Sequence, residues 1–177
     1  MVVKNHKGLV QIFTGNGKGK TTAAMGTIIR AAGHGLRVSL VSFMKGDYPY
    51  GEYNTLAKIP GVEIFSFGFR HLIDPSNVKP EEKEQAVMAL AKAREVICSG
   101  KYDLVVLDEV NVALGYNLIE VDDVIRLIKD KPSAVEVILT GRYVNDRLIE
   151  LADLVTEMVK VKHPFDKGIK ARRGIEY

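Results

Sequence analysis

The sequence contains a single cysteine, Cys98, and no apolar stretch long enough to cross a membrane. One cysteine excludes an intrachain disulfide and any metal site built from several cysteines, which is consistent with a reducing compartment. A membrane helix needs roughly 20 apolar residues, and the first residues, MVVKNHKGLVQIF, also lack the apolar segment of a secretory signal. We therefore expect a cytoplasmic protein that does not associate with a membrane.

The chain also has little excess charge, with a formal net charge of +3 from 25 basic and 22 acidic residues. The excess lies at the carboxyl end, where residues 160–177 hold six Lys or Arg residues and two acidic residues. Nucleic-acid binding favours a broader basic stripe, often with aromatic residues between the charges. We therefore predict no nucleic-acid partner and a terminus that is either solvated or turned toward phosphate.

The remaining composition is that of an ordinary globular protein, with 46% hydrophobic and 27% charged residues. Such a chain can bury a core, which excludes disordered, fibrous and low-complexity proteins. A length of 177 residues fits one domain of about 100 to 200 residues. We expect a single domain over residues 1–177, with one principal site.

Apolar runs typical of buried parallel strands alternate with helical patterns along nearly the whole chain. The predicted strands lie at residues 9–14, 37–43, 62–65, 103–107, 135–140 and 154–160. Helical patterns occupy residues 20–32, a segment beginning near Pro80, a segment from about 121 to 131, and residues 145–152. This alternation predicts an α/β fold with an open, mainly parallel sheet and helices on both faces. Two long connections, residues 44–52 and 66–79, are candidates for loops that cover a substrate.

The strongest motif is TGNGKGKTT at residues 14–22, which directly follows a strand pattern and directly precedes a helical one. A P-loop requires this context, because glycines let backbone N–H groups surround phosphate oxygens at a helix N-terminus. Lys20 would reach phosphate oxygens, and Thr21 would offer its hydroxyl to Mg²⁺. Thr14 stands where the first glycine of the pattern usually lies, and a glycine-rich turn without a ligand is the alternative. The predicted nucleotide contacts are Gly15, Asn16, Gly17, Lys18, Gly19, Lys20, Thr21 and Thr22.

The strand pattern at residues 103–107 is followed by two carboxylates, Asp108 and Glu109. This is the form of a Walker B element, in which one carboxylate holds Mg²⁺ and the other orients a ligand or a base. A helix cap or a solvated turn is the alternative for such a pair. We predict that Thr21, Asp108 and Glu109 form the metal site, and that Lys20, Thr21 and Glu109 are catalytic.

Arg142 follows the fifth predicted strand in a Thr-Gly-Arg sequence. Open parallel sheets bind ligands at the carboxyl ends of their strands, and a planar guanidinium suits phosphate. We predict that Arg142 contacts the nucleotide. The alternative is an arginine that is solvated or paired with a carboxylate of a helix.

Together these motifs resemble the P-loop family of corrinoid adenosyltransferases, from about Gly8 to Tyr177. The segments that carry the resemblance are TGNGKGKTT at 14–22, RAAGHG at 30–35, Gly51-Glu52, LDE at 107–109, TGR at 140–142, LAD at 151–153 and VKHPFDKGIKARRGIEY at 161–177. The first segment occurs in many nucleotide-binding proteins, whereas its combination with the last one is specific to this family.

The resemblance implies a RecA-like fold, a homodimer, and Mg²⁺ or Mn²⁺ bound with ATP. It implies that Co(I) of a reduced corrinoid attacks the C5′ atom of ATP, so that the adenosyl group is transferred and inorganic triphosphate leaves. A reductase that supplies the reduced corrinoid is a possible partner. Only seven residues precede Gly8, whereas family members often carry a longer N-terminal arm that helps to cover the site.

The resemblance also implies an apolar side chain beneath the corrin ring, which favours reduction of Co(II) by removing its lower ligand. We predict this position for Phe69, with packing of Phe69 in the core as the alternative. Some family members place a large aromatic residue two positions after this phenylalanine, where this chain has His71. A lower ligand would oppose the reduction, so we do not predict that His71 binds cobalt.

Two other function classes are compatible with the nucleotide motifs alone. A P-loop ATPase would hydrolyse the terminal phosphate with help from Glu109, and a small-molecule kinase would transfer that phosphate to an alcohol. Both would release ADP, whereas the family reaction releases triphosphate. Because residues 161–177 match the family closely, we predict that this tail is required for function, a solvated and disordered tail being the alternative.

Overall fold

A computed structural model describes residues 7–46 and 48–177 of the chain. Its sheet has six strands in the order β3-β2-β4-β5-β1-β6, and every pair of neighbours is parallel. The strands are β1 Val10–Thr14, β2 Val38–Ser42, β3 Val62–Ser66, β4 Leu104–Asp108, β5 Glu136–Thr140 and β6 Leu154–Glu157. All six predicted strands are therefore confirmed, and β6 ends earlier than the prediction of 154–160.

Helices connect these strands in the described part of the chain. They are α1 Lys20–Gly33, α2 Gly51–Leu56, α3 Pro80–Cys98, α4 Val110–Gly115, α5 Val121–Asp130 and α6 Asp146–Leu151, with a 3₁₀ turn at Pro164–Lys167. Four of the helices, α1, α3, α5 and α6, agree with the sequence patterns. The two short helices α2 and α4 were not predicted, and α2 lies partly within the connection predicted at residues 44–52.

The hydrophobic core consists of two clusters, one on each face of the sheet. Val105 and Leu107 of β4 pack on the side of α3 and α5, whereas Leu104 and Val106 pack on the side of α1. Successive strand residues point to opposite faces, so a strand covered on both faces must be apolar at nearly every position. This explains the continuous apolar runs and confirms the predicted α/β fold with helices on both faces.

The edge strand β6 differs from the central strands, because all four of its residues are exposed. Parallel pairing nevertheless places its carboxyl end beside that of β1, where the predicted P-loop begins. Within residues 7–46 and 48–177, none of the helices combines the length and the apolar character that spanning a membrane would require. The predicted ligand-binding edge of the sheet is built mainly from the ends of β1, β2, β4 and β5.

Candidate active site

Strained backbone conformations occur where three neighbouring strands end. Met44, Glu109 and Tyr143 have positive φ angles of 96°, 64° and 63°, and they follow β2, β4 and β5. Such angles are uncommon for residues other than glycine, and they cluster at functional sites because the surrounding structure must hold them in place. The carboxyl edge of the sheet is therefore the candidate active site.

The P-loop is tightly enclosed by the chain that leaves β6. A Cβ atom at Gly15 would lie 2.5 Å from the Met158 carbonyl oxygen, and one at Gly17 would lie 2.7 Å from it. The Gly17 N–H donates a hydrogen bond of 2.6 Å to the same oxygen. Glycine is therefore required at both positions, because any side chain would collide with backbone.

Lys20 lies inside this turn at the first position of α1. Its Nζ atom donates hydrogen bonds of 2.8 Å to the carbonyl oxygens of Gly15 and Gly17. Burial, and then the nearby positive charge of Arg142, lower the pKa of the Lys20 ammonium. The predicted phosphate-binding lysine is therefore buried within the loop, and the predicted Arg142 is close enough to influence its charge.

Asp108, at the end of β4, is completely buried and has partners at both carboxylate oxygens. Its Oδ1 atom accepts hydrogen bonds from the hydroxyls of Thr21, at 3.0 Å, and Thr140, at 2.6 Å. Its Oδ2 atom lies 2.6 Å from the Nζ atom of Lys45. Asp108 thus joins the ends of β2, β4 and β5 to the start of α1.

Lys45 is a site residue that the sequence analysis missed. It lies three residues beyond β2, and its side chain is only 9% exposed. Burial by itself would lower the pKa of the ammonium, but the Asp108 carboxylate outweighs this effect and raises the pKa above its ordinary value. The signal that could have identified Lys45 is the one used for Arg142, namely a cation two or three residues after an apolar strand.

Glu109 faces the open side of the site. Burial, and then the neighbouring negative charge of Asp108, raise the pKa of the Glu109 carboxyl. Its own N–H donates a hydrogen bond of 3.0 Å to the Thr140 hydroxyl, which fixes the strained turn at the start of α4. The two predicted carboxylates therefore differ, because Asp108 is enclosed by partners and Glu109 borders a cavity.

This cavity has a volume of about 630 Å³ and opens at the predicted ligand edge. Its walls include P-loop residues, Lys45, Tyr50 and Glu109, and the C-terminal residues 174–177 form a further wall. The Lys18 ammonium donates to the Ile175 carbonyl at 2.9 Å and to Glu176 at 3.0 Å. The predicted nucleotide residue Lys18 thus contacts the tail in this structure.

The last residues of the tail are held by charge and by an aromatic contact. Glu176 accepts hydrogen bonds from Arg172 and Lys18, and these bonds lower the pKa of its carboxyl to about 2. The Tyr177 ring lies 5.5 Å from the Tyr48 ring in an edge-to-face arrangement. The tail therefore follows a defined path across the site.

Phe69 is half-buried and is not among the described residues that line the cavity. Its ring stacks on His71, with centroids 5.3 Å apart and planes 14° apart. The Nε2 atom of His71 lies 2.7 Å from Glu82, a carboxylate that is buried and also accepts the N–H of Lys79. The Phe69 ring is thus supported on one side by a histidine that a buried carboxylate holds in place.

The family model described as ATP:corrinoid adenosyltransferase BtuR/CobO/CobP matches residues 6–177. A corrinoid adenosyltransferase of Sinorhizobium sp is 40% identical over 176 residues, covering 98% of this chain and 82% of that protein. A corrinoid adenosyltransferase of Escherichia coli (strain K12) is 38% identical over 174 residues, covering 98% and 88%. The corrinoid adenosyltransferase of Salmonella typhimurium (strain LT2) is 40% identical over 177 residues, with the same two coverages.

Proposed function

This chain belongs to the ATP:corrinoid adenosyltransferase family, and we propose that it transfers the 5′-deoxyadenosyl group of ATP to a corrinoid. In this reaction Co(I) attacks the C5′ atom of the ribose, a Co–C bond forms, and the bond between C5′ and the triphosphate oxygen breaks. The products are an adenosylcorrinoid and inorganic triphosphate. The observation that carries the proposal is the family match over nearly the whole chain, together with a P-loop that borders a cavity of about 630 Å³.

In this proposal the P-loop binds and orients the triphosphate. Backbone N–H groups of residues 15–22 and the Lys20 ammonium provide positive charge where the leaving group gains negative charge. Arg142 supports this role because its charge already acts on Lys20. The cobalt supplies the electron pair, so no side chain is needed as a nucleophile, and positioning of C5′ against cobalt is the main contribution of the protein.

A divalent cation is the second part of the proposal. The Thr21 hydroxyl and the Glu109 carboxylate border the cavity, and both present the oxygen donors that Mg²⁺ and Mn²⁺ prefer. When bound, the cation would neutralise charge on the triphosphate. Among the described residues, no group of three His, Cys, Asp or Glu side chains could hold a metal ion. The phosphate oxygens of ATP must therefore supply further ligands.

We assign Phe69 to the lower face of the corrin, in keeping with the family resemblance. Two observations support this role. The ring is half-buried, and stacking on His71 fixes the orientation of the ring plane. The preceding residue, Gly68, contacts the turn after β2 so closely that a Cβ atom would lie 2.7 Å from the Met44 Cα atom. The backbone next to Phe69 therefore packs against the turn that carries Lys45. This contact links the proposed corrinoid-binding residue to the proposed nucleotide site.

In this proposal the C-terminal tail covers the active site. Residues 174–177 already form one wall of the cavity, and Lys18 joins them to the P-loop. A closed cover would keep water and oxidants away from Co(I).

The assembly and the cellular setting are further parts of the proposal. We propose a homodimer, because the edge strand β6 is exposed and the segment after it carries Val159, Val161 and Phe165, which are also exposed. Such a strand is usually covered by a partner or protected by charge. A cytoplasmic location and a reductase partner remain predictions from the sequence and the resemblance.

The decisive experiment identifies the phosphate product. The protein is incubated with ATP, Mg²⁺ and chemically reduced cobalamin, and we expect adenosylcobalamin and inorganic triphosphate in equal amounts. A matched reaction with oxidised cobalamin and no reductant should yield neither product. Release of ADP, with cobalamin unchanged, would overturn the proposal in favour of an ATPase or a kinase.

A further inference from the structure

Lys45 is a buried cation whose role the family reaction does not explain. Its Nζ atom lies 2.6 Å from Asp108 and 4.8 Å from the centre of the Tyr50 ring. It also borders the same cavity as Thr21 and Glu109. A fixed positive charge therefore lies beside the residues that would receive a divalent cation.

The backbone holds this cation in place. The N–H groups of Met44, Lys45 and Gly46 all point to the carbonyl oxygen of Phe67, at 3.0, 2.9 and 3.0 Å. Met44 has a positive φ angle, and a Cβ atom at Gly46 would lie 2.7 Å from the Gly68 carbonyl oxygen. Residues 44–46 and residues 67–68 cannot separate without losing these contacts. Lys45 is therefore positioned by the fold and does not sample many orientations.

Both oxygens of Asp108 already have partners, and the carboxylate is closed off from the cavity. Thr21 and Thr140 bind one oxygen, and Lys45 binds the other. Asp108 is completely buried and is not among the described residues that line the cavity, whereas Glu109 is. A divalent cation that arrives alone would meet one carboxylate, one hydroxyl and the positive charge of Lys45, which repels it.

We propose that Lys45 acts as an internal counter-ion for Asp108 and thereby makes retention of a divalent cation depend on the triphosphate of ATP. Asp108 is then a positioning residue for Thr21 and Thr140, and Glu109 is the carboxylate that faces the cation. This inference rests on the proposed function only for the identity of the nucleotide. Its consequence is that metal and ATP enter together, because phosphate oxygens complete a ligand set that the protein alone leaves too weak.

The test measures binding of Mn²⁺ alone by equilibrium dialysis, without ATP or corrinoid. Lys45→Met removes the positive charge that repels the cation and leaves the charge of Asp108 unbalanced, so the site becomes more negative while the buried space stays filled. We expect Mn²⁺ to bind Lys45→Met at least about tenfold more tightly than wild type, a change of about 1.4 kcal/mol. The conservative variant Lys45→Arg should bind Mn²⁺ as weakly as wild type, and so should the double variant Lys45→Met/Asp108→Asn.

Equal Mn²⁺ affinity in wild type and a folded Lys45→Met would overturn the proposal. So would tight binding in the double variant, since the negative charge of Asp108 would then not be what attracts the cation. A measurement on wild type alone covers the case in which Lys45→Met does not fold. Adding ATP should raise the affinity of the protein for Mn²⁺ by at least about tenfold. No increase would also overturn the proposal. Neither measurement involves turnover, so a failure here leaves the triphosphate assay as a separate test of the proposed function.

Discussion

Two regions of this protein bind the two substrates in the proposed reaction, and they are built differently. The phosphate edge, defined as residues 14–22, Asp108, Glu109 and Thr140, is densely hydrogen-bonded, and Lys20, Asp108 and Thr140 within it are buried. The cover, defined as residues 48–52, 69–79 and 172–177, exposes large apolar side chains, with Leu72 97% and Ile175 58% exposed. The two regions meet at the cavity of about 630 Å³.

The difference follows from what each substrate requires. A departing triphosphate is stabilised best by dipoles and charges that are already in place, so rigidity at the phosphate edge contributes to the rate. A corrinoid is large and must enter and leave, so the region that contacts it must be able to open. Substitutions at the phosphate edge should therefore impair chemistry without altering the fold, whereas substitutions in the cover should change particular steps by smaller factors.

The largest effect is expected for Lys20→Ala at the phosphate edge. Loss of its charge should reduce adenosyl transfer to Co(I) by at least about a hundredfold, comparable to removal of a fixed oxyanion donor. Circular dichroism and thermal unfolding should remain close to wild type, because Lys20 belongs to neither of the two hydrophobic core clusters. The matched control is Lys83→Ala on the exposed face of α3, which should be fully active. Activity of Lys20→Ala within a factor of about three of wild type would contradict the assignment of the phosphate cradle.

Removal of the tail should produce the next largest effect, in the cover. Truncation after Lys160 deletes a wall of the cavity, and we expect turnover to fall by at least about tenfold while the sheet still folds. A shorter truncation after Ala171 isolates the contribution of residues 172–177. Turnover and thermal unfolding are measured on both proteins. A folded truncated protein with full turnover would show that the tail is dispensable.

Phe69→Ala should slow turnover that starts from Co(II) more than turnover that starts from Co(I). If Phe69 removes the lower ligand, the ratio of turnover from Co(II) with a reductant to turnover from preformed Co(I) should fall by about fivefold. The control is Phe67→Ala, whose ring packs against the core. Truncation of a fully buried phenylalanine costs about 3 to 5 kcal/mol of stability. Phe67 is partly buried, so Phe67→Ala should cost less, and it should lower both rates together. An unchanged ratio in Phe69→Ala would assign the ring to packing.

The smallest effect is expected for Glu176→Gln, which weakens the contacts of the tail with Lys18 and Arg172. The ion pairs are exposed, so turnover should fall by less than about threefold. Hydrogen exchange at the Arg172 N–H, which donates to Glu176 at 2.7 Å, should become faster in the variant. The matched control is Asp166→Asn, which removes the separate Lys160 pair and should leave this exchange unchanged.

The pH dependence of this contact has a defined sign. The folded protein lowers the pKa of Glu176 from 4.5 to about 2, so the contact is fully present above 4.5 and is lost as the pH falls through about 2. The difference in exchange between wild type and Glu176→Gln should therefore be greatest at neutral pH and vanish near pH 2. A difference that persists unchanged at pH 2 would mean that the carboxylate does not hold the tail.

Long, continuously apolar segments made the sheet predictable. Each central strand is covered on both faces, and this requirement leaves a signal in the sequence at nearly every position. The helices α2 and α4 have six residues each, which is less than two turns and too short to show a helical period. The stops and starts of the longer helices were visible in Gly33 and Pro80, because glycine and proline act locally on the backbone.

The sequence by itself determined the P-loop, the pair Asp108 and Glu109, and the family, because these depend on residues that are adjacent in the chain. Only the tertiary structure decided which partner each charge has. The strand order places β2 beside β4 with Ser42 opposite Asp108, and this register brings Lys45 to a carboxylate 63 positions away in the sequence. Pairing between strands is set by packing of the whole sheet, so no local pattern specifies it. For the same reason, contact of the tail with Lys18 and support of Phe69 by His71 and Glu82 became visible only in the folded chain.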